Sequence, residues 1–366
     1  MENIQIFSNT LGEDELAAIK PVFESRWLGA GQETEAFEKE FAEKVGAKYA
    51  LATNNCTAAL FIAIRTLDIG PGDEVIIPSI HFIGASNAIL SAGATPVFAD
   101  VDERYLNITP AEIERLRTKN TRAVMLLHYG GHPCDFEAVQ NACEGLYIIE
   151  DSANSIRSQY RGRNCGTLGD IGCFSFDPMK ILVNGDGGML TFNRESLYRK
   201  AKLLRYMGIV DQSTGLEAIM SGRPNWWEFD LSCISGRFIS NDIASAIGRV
   251  QLQKVDGFIA RRKEIWGMYQ KVLGEMGPPE PLEDTTSSYY FYWIHTDKRN
   301  ALGKRLFENK IYATFRYFPL HLVKHYRSGE RLPVAERANK TILNLPLHQN
   351  LTNLDVERII ECLLTL

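Results

Sequence analysis

Residues 147–190 constrain this chain more than any other segment. An apolar run at 146–149 ends in Glu150-Asp151. A Gly-punctuated connection leads to a second apolar run at 171–176, then to Lys180 and Gly185-Asp186-Gly187-Gly188. Short apolar runs bounded by turns read as buried strands. A carboxylate thus ends one strand and a lysine follows another. Isolated strand-end Asp and Lys residues commonly face solvent. In this order they suit a pyridoxal phosphate (PLP) site. Lysine supplies the amine for a Schiff base, and a carboxylate keeps the pyridine nitrogen protonated so that the ring acts as an electron sink.

The rest of the chain supplies a scaffold of the right kind. Strand-like runs at 48–53, 73–78, 95–101, 122–129 and 146–151 alternate with helical patterns at 56–67, 83–93, 110–116 and 136–142. Two amphipathic helices, 13–27 and 35–45, precede them. This alternation predicts an α/β fold with a mostly parallel sheet covered on both faces. No GxGxxG follows the first strand, which argues against a dinucleotide site. A second region reads as a long helix at 255–273, strands at 287–296 and 311–318, and helices at 298–309 and 354–364. We therefore expect a large domain over 1–250 and a small C-terminal α/β domain over 251–366. Residues 224–238, with Trp226 and Trp227, read as an aromatic, turn-rich connection.

Composition narrows the partners. The 366 residues suffice for two domains, and the formal net charge of −5 suggests neither nucleic acid nor an anionic membrane as a partner. An anionic substrate would need a local basic pocket. No apolar run is long enough to span a bilayer, and the N-terminus has no signal-peptide pattern. The seven cysteines are scattered without a CxxC, so neither a metal site nor a disulfide framework is expected. The cytoplasm is the expected compartment.

The central segment resembles the DegT/DnrJ/EryC1/StrS sugar aminotransferase family. The matching motifs are EDSAN (150–154), YRGRNCGTLGDIGCFSF (160–176), DPMK (177–180) and GDGG (185–188). The resemblance continues on both sides, from Leu28 to His321. It implies a fold-type I PLP-dependent transferase with a seven-stranded-type sheet, working as a homodimer with shared active sites.

The resemblance also implies roles for particular residues. Lys180 would carry the cofactor and shuttle protons, and Asp151 would pair with the pyridinium nitrogen. Asn154 stands where relatives carry Gln or His near the ring hydroxyl. Cys56 and Thr57, opening the helix in the strand–turn–helix NNCTAALF (54–61), would bind the phosphate through their amides and the Thr57 hydroxyl. Ser175 would join them, and Phe82 would cover the ring face. His81 precedes Phe82; on an alternating pattern it points elsewhere. Arg237, in RFISNDIASAIG (237–248), replaces an asparagine that reaches the neighbouring subunit's cofactor phosphate. Arg316 and His321, in TFRYFPLHL (314–322), fall near the sugar nucleotide. Arg316 replaces a histidine, and its fixed charge could meet a pyrophosphate or a donor carboxylate. Asp177 replaces a histidine or aromatic residue, and nothing in the sequence explains it.

The activity implied is transfer of an amino group, from L-glutamate, to a keto-sugar nucleotide. A 4-keto-6-deoxyhexose linked to dTDP, UDP or GDP is preferred, because the compact RYFPLH form resembles members acting at C4 more than those acting at C3. A PLP-dependent dehydratase would carry histidine in place of Lys180. A desulfurase would need a late-loop cysteine. A non-catalytic regulatory homologue would need a nucleic-acid-binding extension, and none is visible.

Overall fold

The computed structural model describes residues 2–210, 219, 220, 222, 225, 227–326 and 328–364. Its centre is a seven-stranded sheet. In chain order the elements are β1 (Tyr49–Thr53), β2 (Glu74–Pro78), β3 (Thr95–Ala99), β4 (Thr121–Leu127), β5 (Tyr147–Asp151), a short ribbon of β6 (Gln159–Tyr160) and β7 (Arg163–Asn164), then β8 (Ile171–Ser175) and β9 (Gly188–Phe192). The spatial order is β1-β9-β8-β5-β4-β2-β3. β9 runs antiparallel to both its neighbours, and the β8-β5-β4-β2-β3 pairs are parallel. The strands are buried nearly throughout, as expected for a sheet with helices on both faces.

Local sequence starts the helices. Asn55 caps Cys56–Thr66 by accepting from the Ala58 N–H at 2.8 Å. Thr109, followed by Pro110, caps Pro110–Leu116, and Asp135 caps Phe136–Ala142. Asn241 caps a helix of 32 residues, Asp242–Leu273. This helix starts well before the expected 255. The Asn241-Asp242 pair is the start signal, and the Asp242 carboxylate also accepts the Gly31 and Thr34 N–H groups that open the helix Gln32–Val45.

The domain boundary expected at 250/251 therefore falls inside one continuous helix. Its first half packs in the main core through Leu252 and Val255. Its second half carries Ile265, Trp266, Tyr269 and Leu273 into a second core with Leu302, Leu306, Val356 and Ile359. Ile4 joins that second core from the N-terminus. The second region pairs Tyr292–His295 with Ile342–Leu345 in an antiparallel ribbon. Residues 311–318 do not form the expected strand. Among the described residues they make single bridges, Ile311 to Ile4 and Thr314 to Asn344, and no continuous ladder.

A buried carboxylate fastens the connection from β5 to β8. Glu150 accepts the Leu168 and Gly169 N–H groups at 2.7 Å, the Gly166 N–H at 2.7 Å and His128 Nε2 at 3.0 Å. The Cys134 N–H points at His128 Nδ1, which places the imidazole proton on Nε2. Replacing Glu150 by Gln sets an amide NH₂ against these donors. The cost is about 2–3 kcal/mol, and the melting temperature should fall by about 2–5 °C. An unchanged melting curve for Glu150→Gln would show that other contacts hold the connection.

Candidate active site

At the carboxyl edge of the sheet the connections after β1, β2, β4, β5 and β8 meet around a cavity of about 360 Å³. Open α/β sheets place ligands there. Its wall includes Asn55, Cys56 and Thr57 from the first helix turn after β1, Phe82 after β2, and Asp151 at the end of β5. Ser175, Asp177 and Lys180 follow from β8, and Tyr290, Arg316 and Tyr317 close it from the second region.

The electrostatics centre on Asp151, which is 2 % exposed. Its Oδ2 meets His81 Nε2 at 3.1 Å and its Oδ1 accepts the Ala153 N–H at 3.0 Å. Burial alone would raise this carboxyl. The His81 bond, the Ala153 N–H and the Lys180 charge outweigh it and hold the pKa below the usual carboxylate value. Lys180 Nζ lies 4.9 Å from the centre of the Tyr290 ring. Burial works against its charge, but Tyr290, Tyr317 and Asp151 raise its pKa above that of ordinary lysine. Burial also pushes the Tyr317 hydroxyl up to about 12 and the Cys56 thiol well above its usual range. Cys56 thus presents a neutral thiol and its backbone. Desolvation and the neighbouring Asp177 raise the Asp186 carboxyl.

Cys56, Thr57, Phe82, Asp151, Ser175, Lys180 and Arg316 all line this cavity. Asn154 sits just behind. It is buried, its Oδ1 lies 3.5 Å from the Tyr317 hydroxyl, and its Nδ2 has no partner among the described residues. His321 does not reach the cavity. Its ring is buried against Ser79, with Oγ to Nδ1 at 2.5 Å, so it braces the turn after β2. Arg237 is exposed and lines a separate depression with Trp27 and Tyr49, away from the cavity of its own chain. Trp226 lies outside the described residues; Trp227 is exposed.

His81 corrects the sequence reading. Alternation holds only to Pro78, where β2 ends; residues 79–82 turn into the next helix, and the turn aims the ring at Asp151. Tyr290 and Tyr317 also escaped notice. Each lies in an aromatic run, YYFYW and RYF, where pattern alone cannot say which ring faces a ligand.

PLP fits these residues. Asp151 offers a buried, ionised partner for a ring nitrogen. The Cys56 and Thr57 amides, at a helix N-terminus, offer free donors near the Ser175 hydroxyl. The Asn154 amide is a buried donor in want of an acceptor. Gly188 lets β9 pass tightly under the helix start; a Cβ there would stand 2.6 Å from the Asn55 carbonyl and 2.7 Å from the Cys56 nitrogen.

The comparisons show the family and the fold. The model of the DegT/DnrJ/EryC1/StrS aminotransferase family matches residues 9–364. The chain is 43% identical over 368 residues to the dTDP-4-dehydro-2,3,6-trideoxy-D-glucose 4-aminotransferase of Saccharopolyspora spinosa, covering 98% of this chain and 95% of that one. It is 32% identical over 378 residues to the GDP-perosamine synthase of Caulobacter vibrioides, with 99% and 98% coverage. The crystal structure of the aminotransferase TlmJ from Streptoalloteichus hindustanus matches with a TM-score of 0.93 at 45% identity, covering 99% of this chain and 98% of that one. The chain belongs to the DegT/DnrJ/EryC1/StrS aminotransferase family, and its fold is that of the fold-type I PLP-dependent aminotransferases.

Asp151→Asn should keep the cofactor and lower the rate of the half-reaction with an amino donor by about 10²-fold, the scale of losing one preorganised electrostatic partner. Stopped-flow absorbance reads the rate. A near-normal rate would assign Asp151 a structural role only. The sign of the pH dependence follows from the depressed pKa. Asp151 is fully ionised above the ordinary Asp value of about 3.9, and its contribution is lost only as pH falls below that.

Proposed function

We propose that the protein moves an amino group from L-glutamate to the C4 keto carbon of a nucleotide-linked 6-deoxyhexose. The observation that carries this reading is the convergence of Lys180, Asp151, Thr57 and Ser175 on one cavity whose far wall holds Arg316, a cation with no carboxylate partner among the described residues. The name of the Saccharopolyspora relative supports C4 and dTDP, and that of the Caulobacter relative supports GDP as an alternative nucleotide.

PLP, when bound, supplies the electron sink that makes an amino-bearing carbon acidic. The chain's own residues do the rest. Asp151, kept ionised by His81 and the Ala153 N–H, holds a positive ring nitrogen in place. Lys180 Nζ takes and returns the proton at the reacting carbons. The helix start at Cys56–Thr57, with Ser175, anchors the phosphate, and the exposed face of Phe82 covers the ring. Arg316 receives an anionic group of a substrate, either the donor carboxylate or the pyrophosphate.

Arg237 supports a homodimer with shared sites. It is exposed, its side chain has no partner among the described residues of its own chain, and it shares its depression with the exposed Trp27. The cysteines are all unpaired, as suits a reducing cytoplasm. Among the described residues, no helix is long and apolar enough to cross a membrane.

The test is direct. Incubation with L-glutamate and a dTDP-linked 4-keto-6-deoxyhexose should yield 2-oxoglutarate and an amino-sugar nucleotide, read by mass spectrometry. Borohydride reduction followed by peptide mapping should place the pyridoxyl group on Lys180. Turnover with a 3-keto substrate alone would overturn the C4 assignment, and a label on another lysine would overturn the site. Mixing inactive Lys180→Ala with an Arg237→Ala variant should restore partial activity through hybrid dimers; a fully active monomer in solution would remove the shared-site proposal.

A further inference from the structure

Two cations of the cavity wall, Lys180 and Arg316, each lie over one ring of a stacked pair. Lys180 Nζ lies over Tyr290 at 4.9 Å from the ring centre. Tyr290 stacks on Phe7 with centroids 5.6 Å apart and planes 18° apart. The Arg316 guanidinium lies over Phe7 at 5.2 Å. Phe7 is far from the other three in sequence and belongs to the N-terminal segment.

That segment is fastened along its length. Ile4 donates to the Lys310 carbonyl and accepts from the Tyr312 N–H, both at 2.9 Å. His348 Nε2 meets the Gln5 carbonyl at 3.2 Å, and Asn350 donates to Ser8 Oγ at 3.0 Å. Ile4 and Ile6 are buried on either side of these bonds. Phe7 is therefore delivered to its place by a strap held at both ends.

The Arg316 backbone is equally fixed. Its N–H donates to Asn344 Oδ1 at 2.8 Å, and its carbonyl accepts from the Tyr129 hydroxyl, which Asn344 Nδ2 also reaches. Among the described residues, its side chain has Phe7 beneath it and Met179 Sδ at 3.4 Å from Nη2. A guanidinium laid on a ring keeps the N–H groups along its edge free for an anion while losing much of its rotational freedom.

We propose that the N-terminal strap is part of the substrate site and that Phe7 is a positioning residue for Arg316. This rests on the reading of Arg316 as the receptor of a substrate anion. The strap holds the arginine's charge where an arriving carboxylate or pyrophosphate meets it, so less ordering is left to be done on binding. Phe7 touches no reacting atom; it acts through Arg316.

A double-mutant cycle tests this, with KM measured separately for L-glutamate and for the keto-sugar nucleotide. Arg316→Gln should raise one of the two by about tenfold or more, and which one rises tells carboxylate from pyrophosphate. Phe7→Ala should raise the same KM by about fivefold, the scale of one lost cation–ring contact, and should raise it more than it lowers kcat. The double variant should be no worse than Arg316→Gln alone. Phe7→Tyr should restore the parent KM, and Phe7→Leu, which fills the space without a ring face, should not. The visible cofactor absorbance and the melting temperature of each variant serve as the folding control. Additive effects, a rise in the other KM, or full rescue by leucine would each overturn the positioning role while leaving Arg316 in place. An Arg316→Gln variant with both KM values unchanged would overturn the anion reading and this proposal together.

Discussion

One buried negative charge organises this molecule. Asp151 ends a central strand, almost without solvent, where an unpaired carboxylate would take up a proton or disrupt the strand end. It stays ionised because three separate segments converge on it: the turn after β2 brings His81, the turn after β5 brings the Ala153 N–H, and the connection after β8 brings Lys180. That convergence is available only at the carboxyl edge of a parallel sheet, with β5 between β4 and β8 and β2 one strand further on. Glu150, one residue earlier, faces the other way and closes the loop at 166–169 with its own hydrogen bonds. Adjacent carboxylates thus do opposite work, one holding structure and one held by it.

What was legible in the sequence follows from how local each feature is. Strands β1 to β5 and β8, and the helices between β1 and β5, appear within a residue or two of their expected ends, because apolar runs, caps and glycine turns are local signals; β9 and the helix Glu195–Arg205 that follows it were not foreseen. The family resemblance, carried by short contiguous motifs, grouped Lys180, Ser175 and Thr57 before any fold was known, and the three line one cavity. His81 was missed for a definite reason. A period of two applies to a pleated strand, and it ends at Pro78. Residues 311–318 were misread for a related one: IYATFRYF has the composition of a strand, but a strand needs a partner edge, and Ile4 and Asn344 each take only one point of contact. His321 looked like a ligand and is a brace, because the sequence cannot say that Ser79 lies beneath its ring.

The substrate end has a different origin. Its wall is assembled from Tyr290, Arg316 and Tyr317, with Phe7, Tyr129 and Asn344 behind. These come from three parts of the chain, around residue 7, around 129 and at 290–344, each more than a hundred residues from the next, and each looks like an ordinary core aromatic or strand residue in its own context. Only the docking of the second region against the sheet brings them together. The shared helix Asp242–Leu273 makes that docking firm, since its two halves belong to two cores and a single rigid rod joins them.

This division lets chemistry and substrate choice vary separately. The cofactor end is bound into the main sheet, where altering Asp151 or its partners disturbs the strand ends that build the cavity. The substrate end hangs on side-chain stacking and on a strap held by a few backbone bonds, so a changed residue there costs one contact rather than a strand. A relative named for a dTDP-linked substrate and one named for a GDP-linked product align with this chain over nearly its full length. In this chain the wall carries a fixed guanidinium, and the ring on which it lies comes from the first ten residues.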